Sequence, residues 1–287
     1  MKRNVLSLMI GLMITTLACG LAAPATPAQP GVETIVAATF QALTATAPTP
    51  KSSGIQVTFQ NVSFVIPEGL ASGSTNQLVP AADEANSDPW SVAPGYVSFK
   101  LTDYTGRDDS FFKAVVNVYP TAEYAAVNSW AADSITRLQA ILANPAGPLT
   151  NDKLPTVPFN GAAAQQYAAQ AKLITFNGGA GVRMVSQYAQ FSGPITKDNS
   201  FYHYEGLTRD GKYMVAILFP VFLPLQSTAD NPSADGVPFP SDPMDPATAT
   251  SYYQGITDKL NAASPESFQP SLTQLDALIQ SITVNSQ

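Results

Sequence analysis

The sequence predicts an α+β domain, an antiparallel β-sheet of hairpins covered by helices, preceded by a signal peptide and a flexible tether. Three observations predict it. Short runs rich in Val, Ile, Phe and Tyr recur between turn residues. Two of those turns carry Asn177-Gly178 and Asp210-Gly211, which supply the positive φ angles that a tight hairpin needs. Three further segments place apolar residues three and four apart, the spacing of one helix face.

Residues 55–59 and 62–66 form an opening hairpin about Gln60-Asn61, ended by Pro67-Glu68-Gly69. Residues 68–95 read as a loop with one large aromatic, Trp90, and strands follow at 96–101 and 113–119. Thr121 caps one helix with Tyr124, Val127, Ala131, Ile135, Leu138 and Leu142 along its apolar face, and Asn144-Pro145-Ala146-Gly147-Pro148 stops it. Beyond a loop at 145–169 come four strands, at 172–176, 182–191, 201–207 and 213–219. A Pro-rich loop spans 220–246. Helices at 248–263 and 271–284 close the chain. The second opens on the capping-box pair Ser271 and Gln274 and carries the stripe Leu275, Leu278, Ile279 and Ile282.

Three stretches of this pattern resemble the PsbP-like α/β sandwich. They are Phe64-Val65-Ile66-Pro67-Glu68-Gly69 in the opening hairpin, Gly206-Leu207-Thr208-Arg209-Asp210-Gly211-Lys212-Tyr213 in the central meander, and Ile279-Gln280-Ser281-Ile282 at the end of the closing helix. The resemblance extends over most of 55–284 as an order of elements; the insertions at 68–95 and 220–247 depart from it. Members of that family are mostly binding or assembly factors without catalysis, so the resemblance implies a partner-binding role and names no partner.

The N-terminal segment carries the addressing information. Lys2 and Arg3 precede an apolar run of 13 residues, Val5 to Leu17, which is the length of a signal-peptide core and too short for a stable transmembrane helix. It ends in Thr16-Leu17-Ala18-Cys19-Gly20, which resembles the bacterial lipobox. Thr16 and Leu17 depart from that motif, which prefers Leu and then a small residue at those places. The resemblance implies export, cleavage before Cys19 and lipidation of Cys19, with several acyl chains holding the protein at the cell membrane or cell surface. Residues 1–18 are then the signal peptide, 19–54 the lipidated cysteine with an Ala/Thr/Pro-rich tether, and 55–287 the globular domain. Val32, Ile35, Val36, Phe40 and Leu43 allow a short transient helix over 32–43.

Cys19 is the only cysteine, so the domain has no disulfide, no thiol nucleophile and no cysteine ligand for a metal. Removal of 1–18 leaves 12 basic against 21 acidic residues, a net charge of −9. With a pI of about 4.6, the chain lacks the basic face that nucleic acid or anionic headgroups would require. Only 12% of residues are charged, so neutral polar side chains and Ala and Pro fill the surface.

The candidate sites are few, and none calls for a cofactor. His203, the single histidine, lies two residues from Glu205 and thus on the same strand face; a His–carboxylate pair is what a general base requires. The alternative is a structural pair on a sheet surface, and no Gly-x-Ser-x-Gly elbow accompanies it. Asp230, Asp235, Asp242 and Asp245 share one loop and are the candidate Ca²⁺ ligands, though their spacing matches no EF-hand and a solvated, Pro-stiffened loop explains them as well. Gly178-Gly179-Ala180-Gly181 leads into a strand-like run, which favours a hairpin turn over a phosphate-cradling loop. Tyr202, Tyr204 and Tyr213 form either a stacking platform for sugar or peptide or, the favoured reading, the core side of the sheet. The function expected is a lipid-anchored extracytoplasmic binding or assembly module. The alternatives are a cell-envelope hydrolase using His203 and Glu205, or a glycan- or solute-binding lipoprotein.

Overall fold

The central strands are apolar on both sides, and this decides the architecture: a sheet buried on both faces needs a layer on each. The computed structural model describes residues 53–285, apart from 83–84, 86, 108–111 and 159–162. Cys19, the signal peptide, the tether and the segment 32–43 lie outside the described residues. The strands are β1 (Gly54–Phe59), β2 (Val62–Pro67), β3 (Gly73–Val79), β4 (Tyr96–Thr102), β5 (Val115–Pro120), β6 (Ala164–Phe176), β7 (Gly179–Ala189), β8 (Ser200–Thr208), β9 (Tyr213–Val221) and β10 (Thr283–Val284). The helices are α1 (Thr121–Val127), α2 (Ser129–Ala143), α3 (Pro246–Ala262) and α4 (Leu272–Ser281). The class is α+β, as the hairpin and helix signals predict.

Seven strands form one antiparallel sheet in the order β3-β4-β5-β9-β8-β7-β6. A smaller sheet, β1-β2-β10, carries the opening hairpin. On one face of the large sheet, Phe99, Val116, Tyr202, Tyr204, Ile217 and Phe219 pack against Phe64 and Ile66 of β2, Ile256 and Leu260 of α3, and Leu275 and Ile279 of α4. On the other face, Val182, Met184, Leu207 and Met214 meet Tyr124 of α1 and Ile135, Leu138 and Leu142 of α2. Burial of each such aliphatic side chain is worth about 1.5–3 kcal/mol. Strands β5 and β6 run in the same direction, with β9, β8 and β7 between them. The chain between them therefore crosses the second face, and this is what lays α2 over β7 and β8.

Several elements differ from the sequence reading, each for a physical reason. Strand β3 lies inside the expected loop at 68–95: Gly73-Ser-Thr-Asn-Gln-Leu-Val79 is an exposed edge strand with no apolar alternation to reveal it. The single helix expected after Thr121 is two, broken at Asn128. The Asn128 side chain caps α2 by accepting from the Ala131 amide at 3.0 Å, and its Nδ2 donates to the Val92 carbonyl at 2.9 Å. Strand β6 starts at Ala164, inside the expected loop at 145–169, because pairing with β7 recruits an Ala- and Gln-rich first half that has little β propensity of its own. The last turn expected of the closing helix is instead β10, paired with β2.

The turn chemistry is as expected. Gly178 (φ 95°) and Gly211 (φ 69°) take positive angles at the two hairpins. Ser271 accepts from the Gln274 amide at 3.1 Å, but the Gln274 side chain donates to the Glu68 carbonyl, so half of the capping box serves a tertiary contact. Among the described residues no helix is long and apolar enough to cross a membrane.

Candidate functional site

Along β8 the side chains alternate, with Tyr202 and Tyr204 toward α3 and α4 and His203 and Glu205 toward α2. The structure thus brings together the two residues singled out in the sequence, but not at a surface. His203 is 1% exposed and Glu205 is completely buried. His203 Nε2 stands 3.0 Å from Glu205 Oε1. The other carboxylate oxygen, Oε2, accepts from the Ser134 hydroxyl at 2.5 Å. Ser134 is also completely buried, within the apolar stripe of α2.

The order of these three groups limits their chemistry. A nucleophilic serine needs the imidazole between the hydroxyl and the carboxylate, so that the ring can take the proton. Here the carboxylate is in the middle. Ser134 donates to Glu205 and faces no imidazole that would take its proton. With Glu205 ionised, the Nε2 nitrogen carries the hydrogen of the second contact, so both carboxylate oxygens are engaged by protein donors.

The chain of polar groups continues to the edge of the sheet. His203 Nδ1 meets the Tyr188 hydroxyl at 3.4 Å. That hydroxyl donates to Gln165 Oε1 at 2.7 Å and accepts from the Val157 amide at 3.0 Å, and Gln165 donates to Asn151 at 2.8 Å. Burial pushes the Tyr188 and Tyr124 phenols above the ordinary range, and the charge of Glu205 adds to this; the Val157 amide partly offsets it for Tyr188. Both tyrosines therefore stay protonated, and Tyr188 serves as the donor to Gln165. The arrangement runs from the buried Ser134, Glu205 and His203 through the part-buried Tyr188 and Gln165 to the exposed Asn151, joining α2, β8, β7, β6 and the loop at 157, which is a way of specifying one packing of the helix on the sheet.

The surface grooves lie elsewhere. One, of about 400 Å³, sits at the outer edge of the sheet by Lys172 and Arg183; a second, of about 320 Å³, lies by Tyr104 and Lys113; a third, of about 280 Å³, lies by Ile141 and Leu149. His203 and Glu205 line none of these three.

The four acidic residues of the Pro-rich loop are not gathered into one site. The Asp235 carboxylate accepts from the Gln226 amide, from the Ser227 amide at 2.7 Å and from the Ser227 hydroxyl at 2.6 Å, pinning the middle of the loop to residues 226 and 227. Burial alone would raise Asp235; these hydrogen bonds, with Lys259 nearby, outweigh it and hold the carboxyl below its ordinary value. Asp245 caps α3 through the Ala247 amide, Asp242 accepts from the Met244 amide, and Asp230 is exposed. Among the described residues no group of three or more His, Cys, Asp or Glu side chains is placed to hold a metal ion. The Ca²⁺ expectation thus finds no convergent ligand set. Gly178 to Gly181 form the β6–β7 turn and the start of β7, and Tyr202 and Tyr204 are buried core.

Residues absent from the sequence reading complete the picture. Ser134, three residues after Ala131 and four before Leu138, occupies an apolar position of α2; a hydroxyl in that stripe is the signal that could have found it. Arg183 and Asp276 are likewise charges at buried positions, in β7 and α4. Searches of family models, curated proteins and solved structures give no match for this chain.

Proposed function

We propose that this chain is a lipid-anchored extracytoplasmic protein whose domain binds or assembles a partner without performing catalysis. The anchor rests on the signal-peptide pattern ending at Cys19, the chain's only cysteine, and on a tether of 19–54 that would hold the domain off the membrane. The observation that carries the non-catalytic reading is the Ser134–Glu205–His203 order. The single imidazole and its carboxylate are roofed by α2 and engaged with each other, and the hydroxyl beside them has no imidazole to take its proton. The resemblance of the element pattern to the PsbP-like sandwich favours the same reading.

Two measurements test the two halves of the proposal. Cys19→Ala should abolish labelled-palmitate incorporation and leave the chain unprocessed or shed; label that survives the substitution refutes the anchor. Crosslinking in the native membrane should give a discrete adduct with the full protein that is lost when 55–287 is deleted behind an intact tether. An adduct that persists after the deletion, or none at all, refutes partner binding by the domain.

A further inference from the structure

Strand β6 carries a fault near its middle. Its register against β7 shifts between Ala169 and Lys172, and Gln170 takes φ 56°, a left-handed conformation in a residue with a Cβ. The surrounding structure holds it there. The Gln170 amide donates to Asn261 Oδ1 at 2.6 Å, its side chain donates to the carbonyls of Leu260 and Ala263 at the end of α3, and its carbonyl accepts from Arg183 Nη1. The groove of about 400 Å³ opens at this bulge, lined by Gln170, Lys172, Arg183 and Asn261 with the small side chains of Ala168 and Ala171.

The charges around the groove do not balance. Lys172 and Arg183 are direct cross-strand partners, an arrangement that is unfavourable for two cations. One carboxylate, Asp276 of α4, faces both: Oδ1 stands 3.2 Å from Arg183 Nε and Oδ2 stands 4.0 Å from Lys172 Nζ. Oδ1 also accepts from the Tyr202 hydroxyl at 2.8 Å. Asp276 therefore serves three donors, and one positive charge is left over.

The guanidinium shows where that charge is available. The Arg183 side chain is only 3% exposed yet lines the groove. Nη1 is bonded to the Gln170 carbonyl, and Nε, 3.2 Å from Asp276 Oδ1, is buried without a well-formed hydrogen bond. A buried cation with unmet donors is costly unless something supplies the missing acceptors. Lys172, 62% exposed at the mouth, and the Asn261 amide add donors along the same wall.

We infer that this groove is a binding site for a small oxyanion, a free carboxylate or phosphate group, held by Arg183 from below and Lys172 from the mouth. It rests on the reading of the domain as a binding module and gives that module a ligand class. The acceptor-only chemistry of an oxyanion matches the two cations and the amide donors of the lining, and its charge offsets the surplus cation that Asp276 leaves. The bulge has a role in this. By turning its carbonyl onto Nη1, Gln170 fixes the guanidinium at the wall of the groove.

The test uses the full chain at constant ionic strength, with inorganic phosphate and acetate titrated separately against chloride and followed by amide and Arg Nε–H NMR shifts. Saturable shifts confined to Gln170, Lys172, Arg183 and Asn261 are expected, and the tighter of the two anions identifies which group the site takes. Lys172→Glu, a change at an exposed position, should weaken binding by about tenfold or more. Arg183→Met combined with Asp276→Asn removes both buried charges while keeping an acceptor for Tyr202, and should abolish binding in a folded protein. Absence of saturable shifts with either anion, or equal affinity in Lys172→Glu, overturns the inference. Crosslinking of a partner in the membrane is a separate readout, so failure here leaves the binding-module reading to be decided there.

Discussion

Glu205→Ala should be among the most destabilising single substitutions in the domain. The carboxylate accepts from Ser134 at 2.5 Å and from His203 at 3.0 Å, and all three side chains are at most 1% exposed. Each hydrogen bond to a charged acceptor is worth about 1.5–3 kcal/mol, and its loss leaves a buried donor without a partner. Because these terms overlap, the expected cost is about 3–5 kcal/mol, the range for removing one member of a buried pair. For a domain of this size that corresponds to a fall in Tm of about 6–20 °C. Ser134→Ala leaves Oε2 without its donor while His203 still serves Oε1, so it should cost about 1.5–3 kcal/mol. Urea and thermal unfolding followed by circular dichroism give the magnitudes. Fluorescence adds a local report, since Trp130 sits on α2 and Trp90 in the short 3₁₀ turn tied to its cap. If Glu205→Ala melts within about 2 °C of the wild type, the buried network does not hold α2 to the sheet and the account of the site is wrong.

Gly178→Val should cost about 1–2 kcal/mol or more, because φ is 95° and a Cβ there meets nothing within 4 Å, so the penalty is conformational alone; unchanged unfolding would show that the turn is not held at that angle. Asp235 is held below its ordinary 3.8, so its contribution is present above that value and is lost as pH falls through the folded pKa. Asp235→Asn should lower Tm at neutral pH and flatten the acid limb of the Tm–pH profile; a parallel profile refutes the assignment. Asp276 has the opposite sign: burial raises it, with Arg183 only partly offsetting this, so its contribution is present below 3.8 and is lost as pH rises past that value. A protein of residues 55–287 should unfold cooperatively on its own, and a transition that appears only when 20–54 is included would show that the tether packs on the domain.

Class, most strand positions and the hairpin turns were legible in the residues because they are set locally. Period-two and period-3.6 patterns report which faces are apolar, and Asn177-Gly178 and Asp210-Gly211 carry their own φ preferences. The pairing of His203 with Glu205 was also legible, since i and i+2 on a strand share a face. What surrounds that pair was not. Whether β8 is a surface strand or a buried one depends on the crossover that lays α2 over it, and Ser134 lies 71 residues away from Glu205 in sequence. The same holds for the polar edge strand β3, visible only through its pairing with β4, and for Arg183 and Asp276, which meet through the packing of α4 on the sheet. Local sequence determines what each segment prefers to be; burial, partner order and charge balance belong to contacts between distant segments, and only the tertiary structure decides those.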